Sequence, residues 1–258
     1  MIGVLVHTGY MTRRHLMNLL RQRLLVATSL IEPFVWLALF SAVFRSVADI
    51  PGFTGGSYVD YLMPGIVVMT AFLPSAWNGV LMLQDIERGT LDRMLVTPVR
   101  RSALLLGPVL KQAVGGMVSV VIIMTMGVVL GARYEGGAVG IAVFLAAVMT
   151  FSATFSMFSN VVALLVRKEE SLVGLMNFVM MPLTFLSSSF MPTDLVPGWV
   201  TKVALVNPVN WTVEVGRQML GPAPDWGVVL TRVGLLLGLG ALLMWAGLAA
   251  LRRYQRTA

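Results

Sequence analysis

The sequence is dominated by apolar runs, each long enough to cross a lipid bilayer, with short charged stretches between them. A helix needs about 20 apolar residues to span a hydrocarbon core of ~30 Å. Runs of this length occupy residues 24–47, 61–83, 108–131, 138–166, 171–189 and 226–251. The pattern therefore predicts an all-α polytopic membrane protein with six transmembrane helices.

The composition excludes most soluble functions. Of the 258 residues, 57% are hydrophobic and 12% are charged, and the mean hydropathy is +0.83, whereas soluble domains carry about 25% charged residues. The net charge of +7 does not indicate nucleic-acid binding, because the basic residues do not cluster with aromatics. The absence of cysteine excludes disulfides and thiolate chemistry. Both histidines, His7 and His15, precede the first apolar run, which excludes a multi-histidine metal cage in the membrane.

The positive charges are distributed asymmetrically between the two sides of this six-span arrangement. Fourteen of the 19 lysines and arginines fall on the side of the termini, and five fall on the other side. Because cytoplasmic loops carry the excess of basic residues, we expect a multi-pass protein of the cell inner (plasma) membrane with both termini cytoplasmic. Residues 1–23 are basic and amphipathic, which predicts a helix on the inner membrane surface. The run that follows is too long for a cleavable signal peptide, so it should insert as an uncleaved first helix.

A charged segment, DIERGTLDRMLVTPVRR, separates the second and third runs and carries seven charges. Gly89 can end the preceding helix in the left-handed conformation, and Thr90 can cap a new helix. An apolar stripe at helical spacing follows, made by Leu91, Met94 and Leu95. Pro98 after Thr97 is a second helix-start signal. The segment therefore predicts a short cytoplasmic helix, and the alternative is a charged surface loop.

Glu32 lies inside the first run, next to Pro33. A carboxyl group at membrane depth costs about 2.5–3.5 kcal/mol on insertion scales and often marks a functional site. The alternative is a protonated or hydrogen-bonded side chain that packs on a neighbouring helix and helps to satisfy backbone groups freed by Pro33.

The second run contains large adaptable side chains that are candidates for a path taken by an apolar substrate. These candidates are Met63, Met69, Phe72 and Trp77. The alternative is that they pack in the protein core or contact lipid.

Four stretches, in this order along the chain, resemble the ABC-2 type transporter permease family. They are IEPFVWLALFSAVF in the first run, YVDYLMPGIVVMTAF in the second, ERGTLDRMLVTP after it, and SSSFMPTDLVPGWVTKVALVNPVNWTVEVGRQML before the last run. The resemblance covers nearly the whole chain. It is greatest to the drug- and lipid-exporting branch typified by daunorubicin-resistance permeases.

The resemblance implies that residues 1–258 form a single transmembrane domain, which is half of a dimeric permease unit. The other half would be a second permease chain, identical or different, and each half would dock one of two copies of a cytoplasmic ATPase. ATP and Mg²⁺ would bind the ATPase, and this chain would bind no cofactor or metal and have no catalytic site. The coupling region would be residues 85–107, with the amphipathic helix beside it. The residues assigned to ATPase coupling are Glu87, Arg88, Gly89, Thr90, Leu91, Met94, Leu95 and Pro98.

The resemblance also implies a re-entrant helical hairpin on the outer side, between the fifth and sixth spans, at residues 190–225. This segment is rich in proline, and its apolar stretches are too short to cross the membrane and return. Asn207 and Pro208 would lie at its turn. The alternative is an ordered loop with Trp199 and Trp211 as interfacial anchors.

The expected function is the permease subunit of an ATP-binding-cassette exporter for a hydrophobic or amphipathic drug-like or lipid-like substrate. The sequence lacks the P-loop motif G-x-x-x-x-G-K-[ST], so the energy must come from another chain. The alternative is an ion-coupled secondary transporter or channel, which needs several polar groups at the midplane. An intramembrane enzyme would need an activated nucleophile, and a scaffold or immunity protein with this fold is a further alternative.

Overall fold

The computed structural model describes residues 58–90, 93, 101–190 and 196–255, together with the helical positions 31, 34, 35, 38 and 39. All regular secondary structure in these residues is helical. The helices are α1 Tyr58–Ala76, α2 Asn78–Glu87, α3 Arg101–Val129, α4 Gly137–Val166, α5 Glu169–Phe185, α6 Gly198–Ala204, α7 Pro208–Leu220 and α8 Trp226–Tyr254. The expected all-helical fold is therefore confirmed for the described part of the chain.

Four helical segments of the described chain are long and apolar enough to cross a membrane. They are Tyr58–Glu87, Leu104–Val129, Gly137–Val166 and Trp226–Tyr254. Helix α5 has 17 residues, which gives a length of about 26 Å, slightly less than the hydrocarbon core. The interface helix at residues 1–23 and most of the first predicted span, including Glu32, lie outside the described residues. Four of the six expected spans are thus represented by long helices.

Helices α1 and α2 form one rod with a break at Trp77. Pro74 lacks an N–H group and interrupts the hydrogen bonds of α1 three residues before the break. Ser159 of α4 bridges the break, because its hydroxyl accepts a hydrogen bond from Gly79 N (2.9 Å) and donates one to the Ala76 carbonyl. The neighbouring helix therefore satisfies backbone groups that the break leaves open.

Helix α3 begins seven residues before the predicted third span and contains Pro108. The sequence prediction placed the start of the span at this proline, since proline is common in a first helical turn. Leu105 is fully buried and lies beside Gly247 of α8. Packing on α8 thus supports the helix on the N-terminal side of Pro108.

Helix α4 is the centre of the bundle and contacts α1, α2, α3, α5, α7 and α8. Its buried face alternates small polar residues with aromatics, including Ser152, Ser156 and Ser159. Small residues permit close helix approach in membranes, and Phe151 and Phe155 pack against Phe72 of α1 at centroid distances of 5.6 and 4.4 Å. The main core therefore lies between α1 and α4.

Two short helices, α6 and α7, lie between α5 and α8. Asn207 begins α7, accepting a hydrogen bond from Val209 N (2.9 Å), and Pro208 occupies the first helical turn. Most of α7 is buried against α1, α4 and α8, whereas α6 is largely exposed. At 13 residues, α7 is about 20 Å long, which is too short to span a bilayer.

Candidate functional site

The first candidate site is the turn that ends α2, called here the Gly89 turn (residues 85–90 and Arg93). Gly89 has φ +62°, the left-handed conformation that the sequence predicted for it. Its carbonyl accepts a hydrogen bond from Arg93 N (3.2 Å), so a new helical turn begins at Gly89. Thr90 is already helical, so Gly89 and not Thr90 occupies the N-cap position of the new turn. The chain thus passes from α2 to a new helical turn through Arg88 and Gly89.

The Gly89 turn is anchored to the bundle by Ile86, which packs against the core, and it presents its charged tip to solvent. Glu87 and Arg88 are exposed, and Gly89 and Thr90 are half-buried. The Arg93 guanidinium donates to the carbonyls of Gly89 (3.3 Å) and Arg88 (3.1 Å). These bonds stay within the turn, which leaves its surface available to a partner. The other assigned coupling residues, Leu91, Met94, Leu95 and Pro98, lie outside the described residues.

The second candidate site is at the opposite end of the α1–α2 rod, and we call it the arginine network. Its members are Tyr61, Ser188, Asn210, Glu214, Arg217 and Arg232. The Arg217 guanidinium lies over the Tyr61 ring, with Cζ 3.9 Å from the ring centroid, in a cation–π geometry. It donates to the Ser188 hydroxyl (2.7 Å) and to the Ser188 carbonyl.

Every polar atom of Ser188 is used in this network. Its backbone N–H and its hydroxyl both donate to Asn210 Oδ1, at 3.0 and 2.6 Å. Its carbonyl accepts from the Tyr61 hydroxyl (3.0 Å) and from Arg217. Ser188 therefore connects α1 and α7 to the segment that follows α5.

The network continues from α7 to α8 through a charged pair. Asn210 Nδ2 donates to Glu214 Oε1 (2.7 Å), and Glu214 Oε2 forms an ion pair with Arg232 Nε (2.5 Å). The Glu214 and Arg232 side chains are at most 25% exposed. Charges held at this depth need partners, and here the partners come from two different helices.

The loop between α3 and α4 closes the same end. Asp60 accepts a hydrogen bond from Arg133 N (2.8 Å), and the Tyr134 hydroxyl donates to the Met124 carbonyl (2.8 Å). Burial, and then the nearby Asp60 carboxylate, raise the pKa of Tyr134. The Leu220 carbonyl accepts from Glu135 N (3.0 Å). Helix α7 is therefore fixed to this loop as well as to its neighbouring helices.

The sequence pattern indicates Arg217 and Arg232 only as charges on one side of the membrane and does not predict the network. A usable signal was present, since Asn207, Asn210, Glu214 and Arg217 recur every three or four residues. This spacing places them on one helical face. The partners Tyr61 and Ser188 are 127 residues apart in sequence, and no local pattern joins them.

The candidate substrate-path residues divide into two groups. Met63, Met69 and Phe72 are buried in the core, with Met69 Sδ 3.8 Å from the Thr184 hydroxyl. Trp77 is half-buried and lines an open cleft between α2, α3 and α5. Of the four, Trp77 is the one that lines this cleft.

The sequence matches known membrane transporters over most of its length. Residues 7–220 match the family described as ABC-2 type transporter. The chain is 28% identical over 211 residues to a putative transport permease, ycf38, of Cyanophora paradoxa, which covers 79% of this chain and 70% of the relative. It is 25% identical over 200 residues to the daunorubicin resistance ABC transporter permease protein DrrB1 of Streptomyces coeruleorubidus, covering 77% and 69%. It is 23% identical over 228 residues to a probable doxorubicin resistance ABC transporter permease protein, DrrC, of Mycobacterium tuberculosis, covering 87% and 82%.

Proposed function

The chain belongs to the ABC-2 type transporter family, and we propose that it is the membrane subunit of an ATP-binding-cassette exporter. The observation that carries this proposal is the Gly89 turn. It ends a membrane-length helix, and the left-handed Gly89 starts a new helical turn there, which gives a partner a short protruding segment to bind. In the proposed complex, two copies of a separate ATPase subunit bind ATP and Mg²⁺. Each copy contacts one permease chain at residues 85–107.

The proposed topology has six spans with both termini in the cytoplasm. The charge asymmetry of the sequence supports this orientation. It places the Gly89 turn on the cytoplasmic side and the arginine network on the outer side, because the two lie at opposite ends of the α1–α2 rod. The proposed spans are residues 24–47, 61–83, 108–131, 138–166, 171–189 and 226–251, with a re-entrant segment at 190–225. A second permease chain, identical or related, completes the membrane unit.

The α1–α2 rod supplies a mechanical link between the ATPase and the outer mouth. Its 30 residues extend over about 45 Å and end in the Gly89 turn on one side and at Tyr61 and Asp60 on the other. When ATP draws the two ATPase subunits together, the turn moves with them. The rod then transmits this displacement to α7 through the contact between Tyr61 and Arg217. Opening of the outer mouth follows from movement of α7.

The proposed substrate is a hydrophobic or amphipathic molecule that leaves the cytoplasm or the inner leaflet. Two relatives are named as daunorubicin and doxorubicin resistance permeases, which favours export of a drug-like compound. The apolar surfaces of the long helices give such a molecule access from the lipid.

Co-purification tests the proposal. The chain is co-expressed with a candidate ABC ATPase subunit from its genomic neighbourhood, and the ATPase bound to the purified permease is quantified. We expect stoichiometric association that falls at least about tenfold for Glu87→Ala and Leu91→Ala and is unchanged for Arg133→Ala, at the opposite end. Failure of the ATPase to associate would favour the ion-coupled alternative. Equal binding by all variants would show that the coupling residues are wrongly assigned.

A further inference from the structure

One face of α8 is an exposed apolar stripe that leads to two arginines. Leu242 and Trp245 are 58% and 70% exposed, and Arg252 and Arg253 are exposed in the last turn of the helix. Arg252 follows Trp245 by close to two helical turns, so the two lie on one side of α8. Arg253 follows Leu242 by close to three turns and shares its side in the same way. This face of a membrane-length helix is therefore apolar along the span and cationic at its C-terminal end.

A third arginine is held beside this end by the neighbouring helix. Helix α4 contacts α8 and ends at Val166, and Arg167 follows it with φ +55°. This left-handed conformation is uncommon for a residue other than glycine. The Arg167 guanidinium lies over the ring of Tyr254 in α8, with Cζ 4.8 Å from the ring centroid, in a cation–π geometry. Because Tyr254 is buried, it holds Arg167 next to the last turn of α8.

We call the three arginines together the basic end. The acidic residues that follow in sequence, Glu169 and Glu170, are exposed in the first turn of α5. Carboxylates in a first turn interact favourably with the positive end of the helix dipole. Lys168, which is also exposed, adds a positive charge between them and Arg167. The basic end therefore keeps an excess of positive charge where two membrane-length helices end.

We propose that the basic end and the apolar stripe of α8 together bind one anionic phospholipid. Its phosphate contacts the three arginines, and an acyl chain lies along Leu242 and Trp245. Guanidinium groups bind phosphate oxygens through pairs of parallel hydrogen bonds, and basic groups at the cytoplasmic membrane surface attract anionic lipids. In the proposed topology the site faces the inner leaflet. The lipid is a resident partner of the permease and not the exported molecule.

A phospholipid fits this surface better than a protein partner does. A second copy of the chain that packed α8 against α8, around a two-fold axis along the membrane normal, would bring the same arginines together, and like charges repel across an interface. A cytoplasmic ATPase reaches the basic end but not Trp245, which lies about 10 Å before Arg252 along the helix. A phospholipid covers both the charges and the stripe.

Native mass spectrometry of the full-length permease, in an uncharged maltoside detergent, tests the proposal. The probes are palmitoyl-oleoyl phosphatidylglycerol, which is anionic, and palmitoyl-oleoyl phosphatidylcholine, which has the same chains and no net charge. We expect the wild type to bind the first phosphatidylglycerol at least about tenfold more tightly than phosphatidylcholine. Arg252→Gln combined with Arg253→Gln should weaken phosphatidylglycerol binding about tenfold, and Arg167→Gln alone about threefold. Neither should change phosphatidylcholine binding much, whereas Trp245→Ala should weaken both lipids.

The matched control for the arginine pair is Arg133→Gln combined with Lys202→Gln. It removes two exposed positive charges, in the α3–α4 loop and in α6, and should preserve both affinities. Thermal unfolding is recorded for every variant, so that a loss of affinity is assigned to the site and not to unfolding.

Four outcomes would each overturn the proposal. They are equal wild-type affinities for the two lipids, unchanged phosphatidylglycerol affinity in either arginine variant, an equal loss in the control, and displacement of phosphatidylglycerol by inorganic phosphate at a comparable concentration. The last would show an anion site that does not use the α8 stripe. Because the measurement needs no ATPase, its result is independent of the co-purification test.

Discussion

The two ends of the α1–α2 rod are stabilised in different ways. At the Tyr61 end, side chains from four separate parts of the chain form hydrogen bonds, a cation–π contact and an ion pair, largely shielded from solvent. At the Glu87 end, the described hydrogen bonds of the Gly89 turn join residues at most five positions apart, and Glu87, Arg88 and Arg93 are exposed. Polar tertiary contacts hold the Tyr61 end, whereas the described hydrogen bonds of the Gly89 turn are local.

Because of this difference, substitutions in the two regions should affect different properties of the permease. Substitutions in the arginine network should reduce the stability of the permease, because they leave buried polar groups without partners. Substitutions in the Gly89 turn should alter partner binding while the permease remains folded. Four substitutions test the contrast, from the largest expected loss of stability to the smallest.

Replacing Arg217 should have the largest effect. Arg217→Met keeps much of the side-chain volume but leaves the Ser188 carbonyl and hydroxyl without this donor. We expect the free energy of unfolding to fall by about 3 kcal/mol, measured by denaturant titration in mixed micelles. Arg133→Met, an exposed arginine in the α3–α4 loop, is the control and should change stability little. Equal effects of the two substitutions would show that the network does not stabilise this end.

Gly140 tests the close contact between α4 and α7. A Cβ atom at this position would meet the carbonyl oxygen of Met219, and the backbone cannot move aside as a flexible side chain can. Gly140→Ala should cost about 2 kcal/mol in the same titration. Gly234→Ala in α8, where a Cβ atom would meet nothing within 4 Å, should be neutral or slightly stabilising. A neutral Gly140→Ala would mean that α7 is not held against α4.

The ion pair between Glu214 and Arg232 should contribute less, because both side chains are partly exposed. We expect Glu214→Gln to lower stability by about 1 kcal/mol. A double-mutant cycle with Arg232→Gln measures the coupling directly. Additive effects of the two substitutions would show that the pair is not an energetic link between α7 and α8.

Gly89→Ala should have the smallest effect on stability and a clear effect on partner binding. Alanine disfavours φ +62°, which costs about 1 kcal/mol at most in an exposed turn free to rearrange. The turn geometry would change, so we expect ATPase affinity to fall while the unfolding transition stays nearly unchanged. Gly131→Ala, at another positive-φ glycine (φ +100°) with open space around it but in the α3–α4 loop at the opposite end, is the matched control and should leave ATPase affinity unchanged. Unchanged ATPase affinity would show that docking does not depend on the geometry of the Gly89 turn.

The same contrast explains which parts of the structure the sequence could predict. The long apolar helices follow from run length, and the left-handed Gly89 follows from a glycine placed between two helical patterns. Both depend on residues close together in the chain. The cap at Thr90 was predicted one residue too late, because the Gly89 carbonyl already accepts the first hydrogen bond of the new turn.

The arginine network could not be predicted in this way, because its partners come from segments far apart in sequence. The polar face of α7 is visible as a stripe, but nothing local shows that Ser188 and Tyr61 complete it. The cleft has the same character, since Trp77 at the α1–α2 break, Gln112 of α3 and Glu169 of α5 are far apart in sequence. Folding brings these residues together, and no local sequence pattern predicts that they meet.

Site-specific photo-crosslinking is the most direct test of the central claim that the Gly89 turn docks an ATPase. A photoreactive benzoylphenylalanine is placed at Glu87, and in a second protein at Arg133, each co-expressed with the candidate ATPase subunit. We expect a cross-linked permease–ATPase product from position 87 and none from position 133. A product from position 133 alone, or none from position 87 when the ATPase co-purifies, would contradict it.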